Sequence, residues 1–175
     1  MSGHAEGFRT KSITGYGAHA EGEYTTASAR HSPHAEGYYT TASGNYGSHA
    51  EGYKTTASGE ASHAEGYDTS AIGKYSHAEG YDTSAIGNYS HAEGYYTTAF
   101  GQSSHTEGQN TQTTNEAEHA SGKFNKSTLG KTHFSVGVGT DDNNRKNTFE
   151  ITVDSSIYIN DIGGYDGTNV DSSAV

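Results

Sequence analysis

The sequence predicts an all-β protein: a parallel β-roll of 14–15 residues per coil, followed by a small antiparallel β meander. Three observations carry this. First, His-Ala-Glu-Gly recurs seven times, starting at His4, His19, His34, His49, His63, His77 and His91, and altered copies start at His105 and His119. The step is 15 residues three times and then 14 five times, a short fixed period that marks a coil stacked on itself. Second, small residues recur in phase with it: Ala20, Ala35, Ala50, Ala64, Ala78 and Ala92, then Ala27, Ala42, Ala57, Ala71, Ala85 and Ala99. Third, only 30% of the 175 residues are hydrophobic, with 24 Gly, one Pro, and no Cys or Trp. Such a composition suits disorder, but a disordered tract has no reason to keep a register.

The unit His63–Ser76 shows how one coil is built. It divides into the stretches 62–66 (Ser-His-Ala-Glu-Gly) and 69–73 (Thr-Ser-Ala-Ile-Gly), each followed by a two-residue connection. Five residues at ~3.3 Å each make a short strand. The closing Gly of each stretch permits a tight positive-φ corner. Eight steps from His4 to His119, stacked ~4.8 Å apart, predict a rod about 40 Å long. Strand alternation places Ser62, Ala64 and Gly66 on one face and His63 and Glu65 on the other. In the second stretch Thr69, Ala71 and Gly73 oppose Ser70 and Ile72. So narrow a coil has room only for Ala, Gly, Ser and Thr inside. The Thr40, Thr55, Thr69, Thr83 and Thr97 column therefore faces inward, which argues against an ice-binding Thr array.

Outward positions of the second stretch vary, as in Ser70/Ile72, Thr98/Phe100 and Gln112/Thr114, which is the behaviour of solvent-facing positions. Those of the first stretch do not: His19/Glu21, His34/Glu36, His49/Glu51, His63/Glu65, His77/Glu79, His91/Glu93 and His105/Glu107 keep one pair in every coil. We expect this face to meet other copies of the chain around a common axis. Self-association also supplies the burial that a chain so poor in large apolar groups lacks. Imidazole with carboxylate is zinc chemistry, but an open column is not one closed coordination shell. Structural hydrogen bonding is expected instead, with no metal, cofactor or catalytic residue. Carboxylates stacked at ~5 Å repel by a few kcal/mol, so His must offset them, as a neutral donor or as imidazolium. A protonated His would have a folded pKa above its unfolded one; its stabilisation is complete below the unfolded value and lost as pH rises through the folded one.

Phe8, Tyr38, Tyr53, Tyr67, Tyr81 and Tyr95 each follow the first-stretch Gly and predict a ladder at one corner; Tyr46, Tyr75 and Tyr89 line the other. Ring stacking of about 0.5–1.5 kcal/mol per pair makes corner packing the leading reading. Tyr38, Tyr53, Tyr67, Tyr81 and Tyr95 are also candidate contacts for a glycan or protein receptor, because exposed aromatics favour interfaces.

By period, Gly position and small-residue columns, residues 4 to about 122 resemble the head repeats of trimeric autotransporter adhesins. That resemblance implies a left-handed parallel β-roll and an intertwined homotrimer. Those repeats commonly carry Ser-Val-Ala-Ile-Gly where this chain has Ser-His-Ala-Glu-Gly, with aliphatic residues packed on the threefold axis in place of His and Glu. The His-Glu version is similar to repeats of phage and prophage tail fibres and spikes.

Beyond the repeats, 133–139, 148–153 and 156–159 read as apolar-alternating strands separated by Asp/Asn-rich turns, a small meander. Three strands are too few to stand alone, which favours intertwining. The run Val138-Gly139-Thr140-Asp141-Asp142, with Arg145-Lys146-Asn147, Phe149-Glu150, Val153-Asp154 and Ile157-Tyr158-Ile159, resembles the junction segment of many phage tail fibres. The expected organisation is a roll over 1–122, a β-rich neck or foot over 123–160 and a linker-like 161–175 ending at a cloning or cleavage boundary.

A formal charge of −11 argues against nucleic acid and anionic membranes as partners. No apolar run approaches the ~20 residues of a membrane span. No leader is visible at Met1, which predicts a fragment or export by another route. The resemblance implies a non-enzymatic, extracellular, structural and adhesive segment of a trimeric fibre, with a phage or prophage tail fibre as first reading and a bacterial cell-surface adhesin as the alternative. A spike with hydrolase activity would need a paired-carboxylate cleft that the sequence does not mark.

Overall fold

The computed structural model describes residues 3–13 and 16–160. The roll contains strands β1 (His4–Phe8), β2 (Lys11–Ser12), β3 (His19–Glu23), β4 (Thr26–Ala27), β5 (His34–Tyr38), β6 (Thr41–Ala42), β7 (His49–Tyr53) and β8 (Thr56–Ala57). It continues through β9 (His63–Tyr67), β10 (Ser70–Ala71), β11 (His77–Tyr81), β12 (Ser84–Ala85), β13 (His91–Tyr95), β14 (Thr98–Ala99), β15 (His105–Thr106), β16 (Gln112–Thr113) and β17 (His119–Lys123). The chain then forms β18 (Thr132–Val138), β19 (Asn147–Thr152) and β20 (Ile157–Ile159).

The all-β roll is as the period requires. Odd strands stack in chain order into one parallel sheet and even strands β2 to β16 into another. Pairing is in register, so His77 lies between His63 and His91, and Ala78 between Ala64 and Ala92. Three 15-residue steps do not break this register. In the coil that ends at Ser48 the extra residue sits in the second corner, between Gly44 and Ser48, where later coils run from Gly59 to Ser62.

The interior is the narrow one expected. Both Ala columns are fully buried, as are Thr40, Thr55, Thr69, Thr83 and Thr97. Ser62, Ser76, Ser90 and Ser104 are buried too, and each hydroxyl donates to the carbonyl of the Gly three residues earlier at 2.7–2.8 Å. Thr hydroxyls of the facing column, Thr69 and Thr83 among them, have no partner.

The corners differ from expectation. Gly66, expected inside, is exposed, because it has already left strand geometry at φ 111°. Gly73 has no positive φ, and its half of the coil pairs over only two residues, Ser70–Ala71. The positive φ at that corner falls on Tyr75 (φ 58°) and Tyr89 (φ 60°), and at the first corner on Asp68 (φ 56°) and Asp82 (φ 53°). Gly is required at 73 for a different reason: a Cβ there would run into the Gly87 carbonyl of the next coil.

The meander also differs. It does not stand alone. Strand β18 pairs in parallel with β17, as one more rung of the roll, before β19 and β20 add antiparallel. Three strands that continue the roll's own sheet do not by themselves require intertwining with another chain. A buried polar cap closes the roll at this junction. Where earlier coils have Gly-x-x-Ser, the last has Asn115-Glu116-Ala117-Glu118. Glu118 is 1% exposed, and its Oε2 accepts from the backbone N–H groups of Thr114 (2.8 Å) and Asn115 (2.9 Å), from Asn115 Nδ2 (2.9 Å) and from Ser127 Oγ (2.8 Å). Asn115 Nδ2 also donates to the carbonyls of Thr128 and Thr132. Asn125, fully buried, pairs with the Gln112 backbone through both ends of its amide and donates to Ser135 Oγ. Residues 161–175, read as a linker, lie outside the described residues.

Candidate functional site

Two side-chain columns follow from the register. Because each first-stretch strand pairs with its like, every His lies on a His and every Glu on a Glu. Imidazole rings from His19 to His105 are stacked at 4.7–4.8 Å with interplanar angles of 2–8°. At one end His119 turns edge-on to His105, and Phe134 and then Phe149 continue the column. The hydrophobic end residues come from the strands that extend the sheet.

Carboxylates flank the rings and change partner along the rod. In the lower coils each Nε2 faces the Glu of its own coil: His19–Glu21 3.8 Å, His34–Glu36 3.3 Å and His49–Glu51 3.4 Å. Glu65 lies between two rings, 4.0 Å from His63 and 3.8 Å from His77. Above it each Glu reaches the His of the next coil: Glu79–His91 3.3 Å, Glu93–His105 3.0 Å and Glu107–His119 3.4 Å. Of these pairs from His19 to His119 the upper three have hydrogen-bond alignment, as does His4–Glu6 (3.3 Å) in the first coil. The Nε2 atoms of His34, His49, His63 and His77 are buried without an aligned partner. From His34 to His105 about a third of each imidazole remains exposed, 34% at His91 and 35% at His77. The seven expected pairs are thus brought together on one outward face, with contacts inside the chain.

Electrostatics favour a neutral imidazole at His34. Burial pushes the His34 pKa below its ordinary 6.5, the flanking His49 and His19 push it further, and Glu36 and Glu21 oppose only in part. At His34 this direction runs against the protonated alternative.

At the corner, Tyr38, Tyr53, Tyr67, Tyr81 and Tyr95 form the expected ladder, with centroids 4.6–5.2 Å apart, but Phe8 does not join it: its rung partner is Glu23, and its ring meets Tyr24 edge-on. Tyr39 and Tyr96 sit edge-on to Tyr38 and Tyr95. Neighbouring rings cover the π-faces, so what reaches solvent is ring edge and phenol hydroxyl. Tyr75 and Tyr89 stack at 5.3 Å on the other corner, where Tyr75 donates to Glu60 at 2.9 Å and holds that carboxyl below its ordinary range together with Lys74. On the second sheet's outward side Ile72, Ile86 and Phe100 are exposed, as the varied positions there predicted.

The sequence reading missed the buried Glu118 and Asn125. Their signal was present as the break from Gly-x-x-Ser to Asn-x-x-Glu in the last coil.

Coil, columns and corners together define a repeat protein of the parallel β-solenoid class. Residues 50–76, 78–104 and 92–111 match the family model described as the YadA head domain repeat, and the parallel roll is consistent with a head-type β-roll across them. No curated protein matches the chain.

Proposed function

We propose that the chain is a non-enzymatic segment of a homotrimeric, extracellular fibre that forms or positions a surface-attachment tip. The observation that carries this is the His-Glu column: fourteen charged or polar side chains, from His19 to Glu107, repeated on one outward face. Solubility alone does not need such regularity. Partner copies around an axis would cover that face. A rod of stacked coils also offers columns rather than a cleft, which is why no enzymatic role is assigned. Light scattering tests the assembly: the account expects about 55 kDa, three times 18.4 kDa. A clean monomer overturns it.

Within this class we favour a phage or prophage tail fibre, on the His-Glu form of the repeat and the junction-like segment after it. The bacterial surface adhesin is kept as second reading because the matched repeats are those of an adhesin head. Binding of the labelled protein to whole bacteria, against binding to animal-cell matrix and glycans, separates the two. The tyrosine corner is the candidate contact. Replacing Tyr67, Tyr81 and Tyr95 by Ser should abolish attachment at unchanged assembly; loss of thermal stability alone assigns the ladder to corner packing.

A further inference from the structure

We propose that the His-Glu column is a binding site for divalent transition metals, with a capacity of two ions per chain. The structure brings together triplets of two imidazoles and one carboxylate from adjacent coils, with ligand atoms mutually within 4.8 Å. One is His34, Glu36 and His49, and a second triplet shares its His49. Another is His77, Glu79 and His91, and a fourth triplet shares its His91. Independently of that clustering, the Nε2 atoms of His34, His49 and His77 are buried and make no aligned hydrogen bond, while that of His91 already meets Glu79, its partner in the triplet, at 3.3 Å.

The donor chemistry sets the class of ion. Two imidazoles with one carboxylate suit Zn²⁺, Cu²⁺ or Ni²⁺, whereas Ca²⁺ and Mg²⁺ prefer shells made of oxygen. Three protein ligands leave one position for water, the arrangement of open zinc sites. A formal charge of −11 further favours a cation. Strand spacing holds the rings 4.7–4.8 Å apart, and tetrahedral zinc at about 2.0–2.1 Å per bond needs donors about 3.3 Å apart. One ring of each triplet must therefore tilt out of the stack, which its exposed third permits. Sharing limits occupancy: a lone pair on His49 or His91 serves one ion, so overlapping triplets exclude each other. One ion in the lower coils and one in the upper follow.

Equilibrium dialysis of the full chain against Zn²⁺, in a non-chelating buffer, should retain about two ions per chain. Co²⁺ should give visible absorption bands of an imidazole-ligated, low-coordinate ion. Glu79→Gln with Glu93→Gln should lower the zinc count to about one, and adding Glu36→Gln with Glu51→Gln should remove it. His31→Ala, outside the triplets, should change nothing. Two zinc ions in the fourfold variant would overturn the proposal, as would no zinc retained by the natural chain at about millimolar concentration. A rise in Tm with Ca²⁺ equal to that with Zn²⁺ also overturns it, since general attraction to an acidic surface then suffices. If the fourfold variant does not fold, the Co²⁺ spectrum of the natural chain decides, and absence of the bands overturns the proposal.

Discussion

Replacing Glu118 by Ala should release the C-terminal strands from the roll. Four donors converge on its Oε2. Three of them have somewhere else to go: Thr114 N–H also reaches Ser127 Oγ, Asn115 Nδ2 also reaches two carbonyls, and the Ser127 hydroxyl pairs with Thr114 Oγ1 at 2.6 Å. Asn115 N–H is left with nothing. One orphaned buried donor costs about 1–3 kcal/mol, and a cavity of a few heavy atoms adds a similar amount. Against this, the carboxylate itself is held at a cost, since burial pushes the Glu118 pKa up despite its hydrogen bonds. The balance is a loss of about 2–4 kcal/mol. A coil array is stabilised by nearest-neighbour interfaces, so the loss should be local rather than global. Hydrogen exchange reads it directly: protection of β18 amides should fall about 30- to 1000-fold, while β9 and β11 amides change little. Glu118→Gln keeps one acceptor oxygen and sheds the charge, so it should stay within about 1 kcal/mol of the natural chain. Its relative stability should improve as pH rises, because a raised carboxyl pKa contributes stability below the unfolded value and loses it above the folded one. Unchanged β18 protection in Glu118→Ala would refute the cap.

Two further outcomes follow from the same geometry. Thr69→Val should be neutral or stabilising by up to about 1 kcal/mol, since Thr69 Oγ1 is buried without a partner and valine has the same shape; a large drop in Tm would show that the hydroxyl is satisfied. Acidification should weaken the roll around His34: its pKa is lowered, so its contribution is present above the ordinary 6.5 and is lost as pH falls through the folded value. Tm measured from pH 8 down to pH 5 checks this, and a Tm that rises on acidification contradicts it.

Period and residue size were enough to read the roll, because a single register repeated along the chain constrains every coil at once. Ala64, Thr69 and Ser62 went inside, and His63 and Glu65 outside, by alternation alone. Corners were less legible. Positive φ was expected at both closing glycines; Gly66 has it, but at the second corner it falls on Tyr75 rather than Gly73, and Asp68 carries it as well. The cap was missed because Asn115 and Glu118 occur once and no period points to them. For the column, the sequence placed all seven pairs on one face. The change of partner at Glu65 was invisible, as it depends on side-chain rotamers and not on spacing. Nor did alternation reveal that Phe134 and Phe149 would close the column, because that needs β18 to pair with β17.

The seam is tested most directly by cysteine cross-linking, for which a chain without cysteine is a clean background. Glu79→Cys places a thiol on the His-Glu face, and Ile86→Cys places one on the exposed outward side of the second sheet in the same coil. Under mild oxidation the Glu79→Cys protein should form disulfide-linked pairs of chains, and the Ile86→Cys protein should not. The reverse pattern would move the seam to the Ile72, Ile86 and Phe100 side and contradict the account.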